Sequence, residues 1–112
     1  MADKYAALYF SKDESAKYRE FLRAMNGVKI IMISREQIDL CVEEFERDPV
    51  GLTVRLVLHG DEEADLFRHV MRVFFDGLEY EITDDPDDKA FADWLEEKRR
   101  EKDHGSKDLH LD

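Results

Sequence analysis

The chain has 112 residues, 43% hydrophobic and 40% charged, with a formal net charge of −11. That length and apolar content suit one modest core and argue against a disordered polyelectrolyte. The acidic balance excludes the lysine- and arginine-rich footprint that duplex binding needs. One cysteine, Cys41, excludes an internal disulfide and a thiolate metal cluster, and it suits a reducing cytosol. The first residues hold no signal-peptide pattern and no apolar run approaches a membrane span, so a soluble cytoplasmic protein is expected.

The apolar pattern reads as alternating strands and helices. Tyr5–Phe10 is apolar on both faces and predicts a first strand. Ser11 and Glu14 then form a capping box, and Tyr18, Phe21, Leu22 and Met25 give the following helix one buried side. Asn26-Gly27 closes that helix, with Gly27 as the left-handed cap. Val28–Ile33 predicts a second two-sided strand. Ser34 and Gln37 are another capping box, opening a helix that buries Ile38, Cys41, Val42 and Phe45 and leaves Leu40 outside. Asp48-Pro49 ends it.

Leu52–Leu58 predicts a third strand with one wet face. Gly60-Asp61 opens a third helix whose core face is Leu66, Phe67, Val70, Met71 and Phe74, with Val73 and Phe75 widening the arc. Leu78–Thr83 predicts a fourth strand. Asp85 caps a last helix with Pro86 at its first position, and Phe91, Trp94 and Leu95 dock it. The expectation is a single α/β domain over residues 1–103, in βαβαβαβα order, with a charged flexible tail over 104–112. Its sheet would be four-stranded and mainly parallel or mixed, with the first two strands innermost. The alternative is an α+β two-layer sandwich.

The acids are segregated. Residues 36–97 hold 20 Asp or Glu against 5 Lys or Arg, a net of −15. Asp76 to Asp88 contains seven carboxylates and no base. Such a band either solubilises the protein or matches a basic patch on a partner, where complementary charge speeds encounter and rejects wrong partners. The leading reading is a non-enzymatic protein that docks on a basic partner surface. That partner is a nucleic-acid-binding protein or enzyme rather than nucleic acid itself or a membrane. The residues expected at the contact are Glu43, Glu44, Glu46, Asp61, Glu62, Glu79, Glu81, Asp84, Asp85, Asp87 and Asp88. In composition alone, small, acidic and motif-free, the chain resembles phage-encoded inhibitors, nucleic-acid mimics and nuclease-immunity proteins.

Two other readings stand beside it. One is a regulatory or subunit-type domain that self-associates, as in a homodimer, through apolar surface of the sheet face or the edges of the third helix. The other is a metal-dependent enzyme in which His59, Asp61, Asp84 and Asp85 converge at the carboxyl ends of parallel strands. Asp61 and Asp85 are already explained as helix caps, so no cofactor, metal or catalytic residue is assigned. No glycine-rich phosphate loop is present, and Cys41 reads as packing because reactivity needs an exposed, electropositive setting.

Overall fold

A strand that is apolar on both faces must be covered on both, and the first strand, β1 (Asp3–Phe10), is: Ala6 to Phe10 are all buried. The computed structural model describes residues 3–48 and 50–111, with side chains through residue 102. After β1 come a 3₁₀ turn (Lys12–Glu14) and helices α1 (Ser15–Gly27) and α2 (Arg35–Arg47). Strand β2 (Leu52–His59), helix α3 (Gly60–Phe74), strand β3 (Glu81–Thr83) and helix α4 (Lys89–Leu111) follow. Of the expected tail over 104–112, residues 104–111 fall within the end of α4, and their side chains and residue 112 lie outside the described residues.

The sheet has three strands in the order β2-β1-β3, and both edge strands run antiparallel to β1. This corrects the expected four-stranded, mainly parallel sheet: the class is α+β. β2 and β3 are parallel to each other with β1 between them, so β2-α3-β3 is a split crossover unit. The layering follows from β1. Ala6, Leu8 and Phe10 join α1, α2 and α3 in the main core, and Ala7 meets Phe91 and Leu95 of α4 on the other face. Phe10 lies 5.4 Å from Tyr18 and 5.6 Å from Phe21, centroid to centroid, which locks α1 onto the strand.

Lys102 ties α4 to the strand end. Its ammonium donates to the Tyr9 carbonyl at 2.6 Å and sits 2.9 Å from Glu14 Oε1. That same oxygen accepts from the Ser11 N–H at 2.9 Å, the expected capping contact. Burial alone would push the Glu14 carboxyl up, but the Ser11 N–H and the Lys102 ammonium outweigh it and hold the group below its usual range.

Val28–Ile33 is not a strand. The Ile30 N–H bonds the Met25 carbonyl at 3.1 Å and the Lys29 N–H bonds the Asn26 carbonyl at 3.0 Å. Lys29 takes the left-handed conformation, with φ 62°. This is a Schellman ending with Lys29, not Gly27, in the left-handed position. The Ile33 N–H is also taken, by Asn26 Oδ1 at 3.2 Å. The backbone groups a ladder would use therefore close a helix, and Ile30, Ile31 and Ile33 pack on the core from irregular chain.

The fourth predicted strand shrinks to Glu81–Thr83 for a related reason. The chain leaves α3 at Phe75 and returns through Leu78 and Tyr80, whose side chains are part of the core edge. Phe75 reaches the ring of Phe21, and Tyr80 meets Phe67 edge-on at 5.1 Å. They occupy the space expected for Phe74, which is 68% exposed, while Phe67 is fully buried. Leu66 and Val73 also lie outside. Phe67→Ala should cost about 3–5 kcal/mol through the cavity it leaves. Phe74→Ala should change stability by no more than about 0.5 kcal/mol. Denaturant unfolding of the two variants checks both, and equal losses would contradict the placement of α3.

Candidate functional site

Strand direction decides which ends meet. Because β2 and β3 oppose β1, their carboxyl ends lie at the amino end of β1, with His59 opposite Asp3 and Thr83 opposite Tyr5. Ser11 is left at the other end of the sheet, away from this cluster. Asp61 and Asp84 meet there around a cation that belongs to the chain, while His59 pairs with Asp3 and Asp85 turns into the following loop. Lys4 Nζ lies 2.6 Å from Asp84 Oδ1 and 3.8 Å from Asp61 Oδ1. The Asp84 hydrogen bond, opposed by desolvation and helped by the charge of Asp84 and Asp61, raises the Lys4 ammonium above its ordinary value. Beside it, His59 Nδ1 and Asp3 Oδ1 are 3.2 Å apart, and the His59 N–H donates to Glu63 at 3.0 Å.

The turn that follows holds several of the remaining acids in structural roles. Asp85 to Asp88 form a β-turn closed by the Asp88 N–H on the Asp85 carbonyl at 3.1 Å, with Pro86 in its second position. The Asp85 carboxylate accepts from the Asp87 N–H at 3.0 Å. Asp88 caps α4, accepting from the Ala90 N–H at 2.9 Å. Asp88 rather than Asp85 is therefore the cap, and Pro86 precedes the helix instead of opening it. Glu79 pairs with Lys98 of α4, which also meets Glu101 at 3.1 Å. Glu81 is exposed, on the sheet face that α4 covers in part.

The acids of α2 do not join this group. Ser34 caps that helix as expected, and Ile38, Val42 and Phe45 are buried. The helix ends beside the start of β2, at the opposite end of the sheet from Lys4. Glu43, Glu44 and Glu46 are exposed there, with no ion pair among the described residues. Asp61 and Glu62 are exposed in the first turn of α3, where they complement the helix dipole. The expected single band is thus two separate acidic faces.

Clefts offer little chemistry. One of about 290 Å³ between α2 and β2 is lined by Tyr18, half-buried Cys41, Glu44 and Asp48. Its wall is closed by Gly51, where a Cβ would come within 2.0 Å of the Tyr9 hydroxyl. Carboxylates and no cation line it, so nothing there favours a thiolate nucleophile. Among the described residues no group of three or more His, Cys, Asp and Glu is arranged to hold a metal ion, and no helix is long and apolar enough to cross a membrane.

Two surface features were not expected from the sequence: Lys4 at the centre of the carboxylates and the open edge of β2. A lone lysine before a strand carries no signal of what will surround it. The β2 edge did leave one, since residues 50–60 hold no acid in a chain with 28. No protein-family model, curated protein or solved structure matches the chain.

The Lys4 ammonium already offsets the charge of Asp84 and Asp61. Millimolar calcium or manganese should therefore leave the thermal midpoint where sodium chloride of equal ionic strength leaves it. A midpoint raised by the divalent ion alone would contradict this reading of the cluster.

Proposed function

We propose that this chain is a non-enzymatic binding domain that presents unpaired carboxylates to a basic surface of a partner protein. The observation that carries the reading is the state of Glu43, Glu44 and Glu46. All three are exposed on a helix whose opposite face is core, and none is neutralised by the chain among the described residues. Holding like charges together is a standing cost of the folded state, and it is relieved when a cationic surface covers them. Glu81 and Asp87, exposed near the other end of the sheet, are the remaining candidates.

Asp84, Glu79, Asp85 and Asp88 contribute less to such a contact, because ion pairs, a turn and a cap already use them. A partner held this way has its basic surface occluded, which is how an inhibitor of polyanion-mimic type works. Each exposed pair is worth on the order of 0–1 kcal/mol, so the effect rests on the sum and on the rate of encounter.

The test is capture from a native-host extract at low salt, followed by kinetics on the protein that salt releases. Glu43→Gln, Glu44→Gln and Glu46→Gln combined should slow its association about tenfold and flatten the salt dependence, with the unfolding midpoint preserved. Capture that salt does not reverse, or an unchanged association rate in the triple variant, would contradict the proposal.

A further inference from the structure

β2 is a long edge strand that carries almost none of the devices proteins use to protect an edge. It pairs with β1 without interruption over eight residues, Leu52 to His59, and among the described residues no strand lies on its other side. It contains no proline, no bulge and no acid. The other edge, β3, is only three residues long and carries exposed Glu81. An exposed row of unpaired N–H and C=O groups is a template for another strand.

The helix above this edge is apolar on the same side. Arg68 and Arg72 of α3 face the β3 side, where they line a cleft with Leu78 and Tyr80. The opposite flank, toward the β2 edge, carries Leu66, Val73 and Phe74, which are 39%, 54% and 68% exposed. Val57, on the outer face of β2, is 44% exposed. The edge thus offers two layers at once: backbone groups from the strand and apolar side chains from the helix.

We propose that the occupant of this edge is a second copy of the chain, paired β2 to β2 across a two-fold axis into a six-stranded sheet. An antiparallel edge rotated by two-fold symmetry is complementary to itself. Each copy carries −11, and residues 50–60 contribute none of its acids, so pairing along β2 sets no carboxylate of one strand against the other. The same symmetry lays each apolar flank of α3 against its equivalent. The edge is about 27 Å long at strand rise. That places the contact at the small end of stable interfaces, so the dimer dissociates on dilution. Charge also selects the register. An axis through Leu56 sets Arg55 opposite Val57 of the second copy, and Thr53 opposite His59. An axis through Arg55 would face two guanidinium groups.

Sedimentation velocity of the full chain over a range of concentrations tests this. The expected result is a monomer–dimer equilibrium that tightens as salt screens the net charge, the opposite of the salt response of the acidic faces. Val73→Ser with Phe74→Ser should weaken the dimer at least tenfold, as should Val57→Lys, which sets a second cation against Arg55. Val57→Glu should not weaken it. All these positions are exposed, so the monomer's unfolding midpoint serves as the folding control. A chain that stays monomeric to millimolar concentration overturns the proposal. So does a dimer that both Val57→Lys and the double serine variant leave intact.

Discussion

The burial of β1 on both faces is the constraint from which the rest of the fold follows. Five consecutive residues, Ala6 to Phe10, are no more than 2% exposed. Their even members face three helices and Ala7 faces the fourth. The small Ala7 side chain lets Phe91 and Leu95 close on the backbone, and Lys102 then pins the helix to the Tyr9 carbonyl at the strand's far end. With both faces covered by helices, each edge of β1 is left for one strand. β2 takes all eight positions of one edge and β3 three of the other. Unequal pairing leaves the second edge to the returning loop and α4, and exposes the outer edge of β2.

The large net charge is tolerated because it is kept off this frame and locally compensated. Three lysines do much of that work. Lys4 gathers Asp61 and Asp84 at the amino end of β1, Lys98 holds Glu79, and Lys102 holds Glu14. Exposed pairs of this kind contribute little individually, and their role is to offset repulsion between carboxylates that the fold brings together. In α2, Asp39 is held by Arg19 and Arg23, whereas Glu43, Glu44 and Glu46 have no ion pair among the described residues, which is why the functional proposal falls on those three. The end of α2 adjoins the start of β2, so the unpaired glutamates and the acid-free strand are neighbouring surfaces.

Much of the local structure was legible, and strand direction was not. The Ser11–Glu14 and Ser34–Gln37 boxes, the core face of α1, the centrality of β1 and the burial of Phe67 all follow from residue type and spacing. Two-sided apolarity predicts a covered strand without saying whether its neighbours run with it or against it. That ambiguity turned an antiparallel sheet into an expected parallel one. Val28–Ile33 carries the composition of a strand, but its N–H groups are spent closing α1 around Lys29, a residue with no special preference for the left-handed region. Phe74 matches the helical period and loses its place to Phe75 and Tyr80, which arrive from a turn that the period does not describe. Asp85 and Asp88 are equally good caps by type, and the turn around Pro86 selects the second. At the candidate site, Asp61 and Asp84 were legible as acids just after strand ends. The lysine between them and the separation of the α2 acids were not, because both depend on the antiparallel pairing.

Amide hydrogen exchange at a concentration low enough to keep the chain monomeric reads the pairing of β1 residue by residue. The Ala6 and Ala7 amides, flanked by both β2 and β3, should exchange only with global unfolding, as should the amides from Leu8 to Phe10 that point to β2. Along Thr53 to Leu58, slow and fast amides should alternate, because every second N–H points away from β1. Fast exchange at Ala6 or Ala7, or uniform protection along both Val28–Ile33 and β2 as in a parallel sheet, would overturn the antiparallel arrangement.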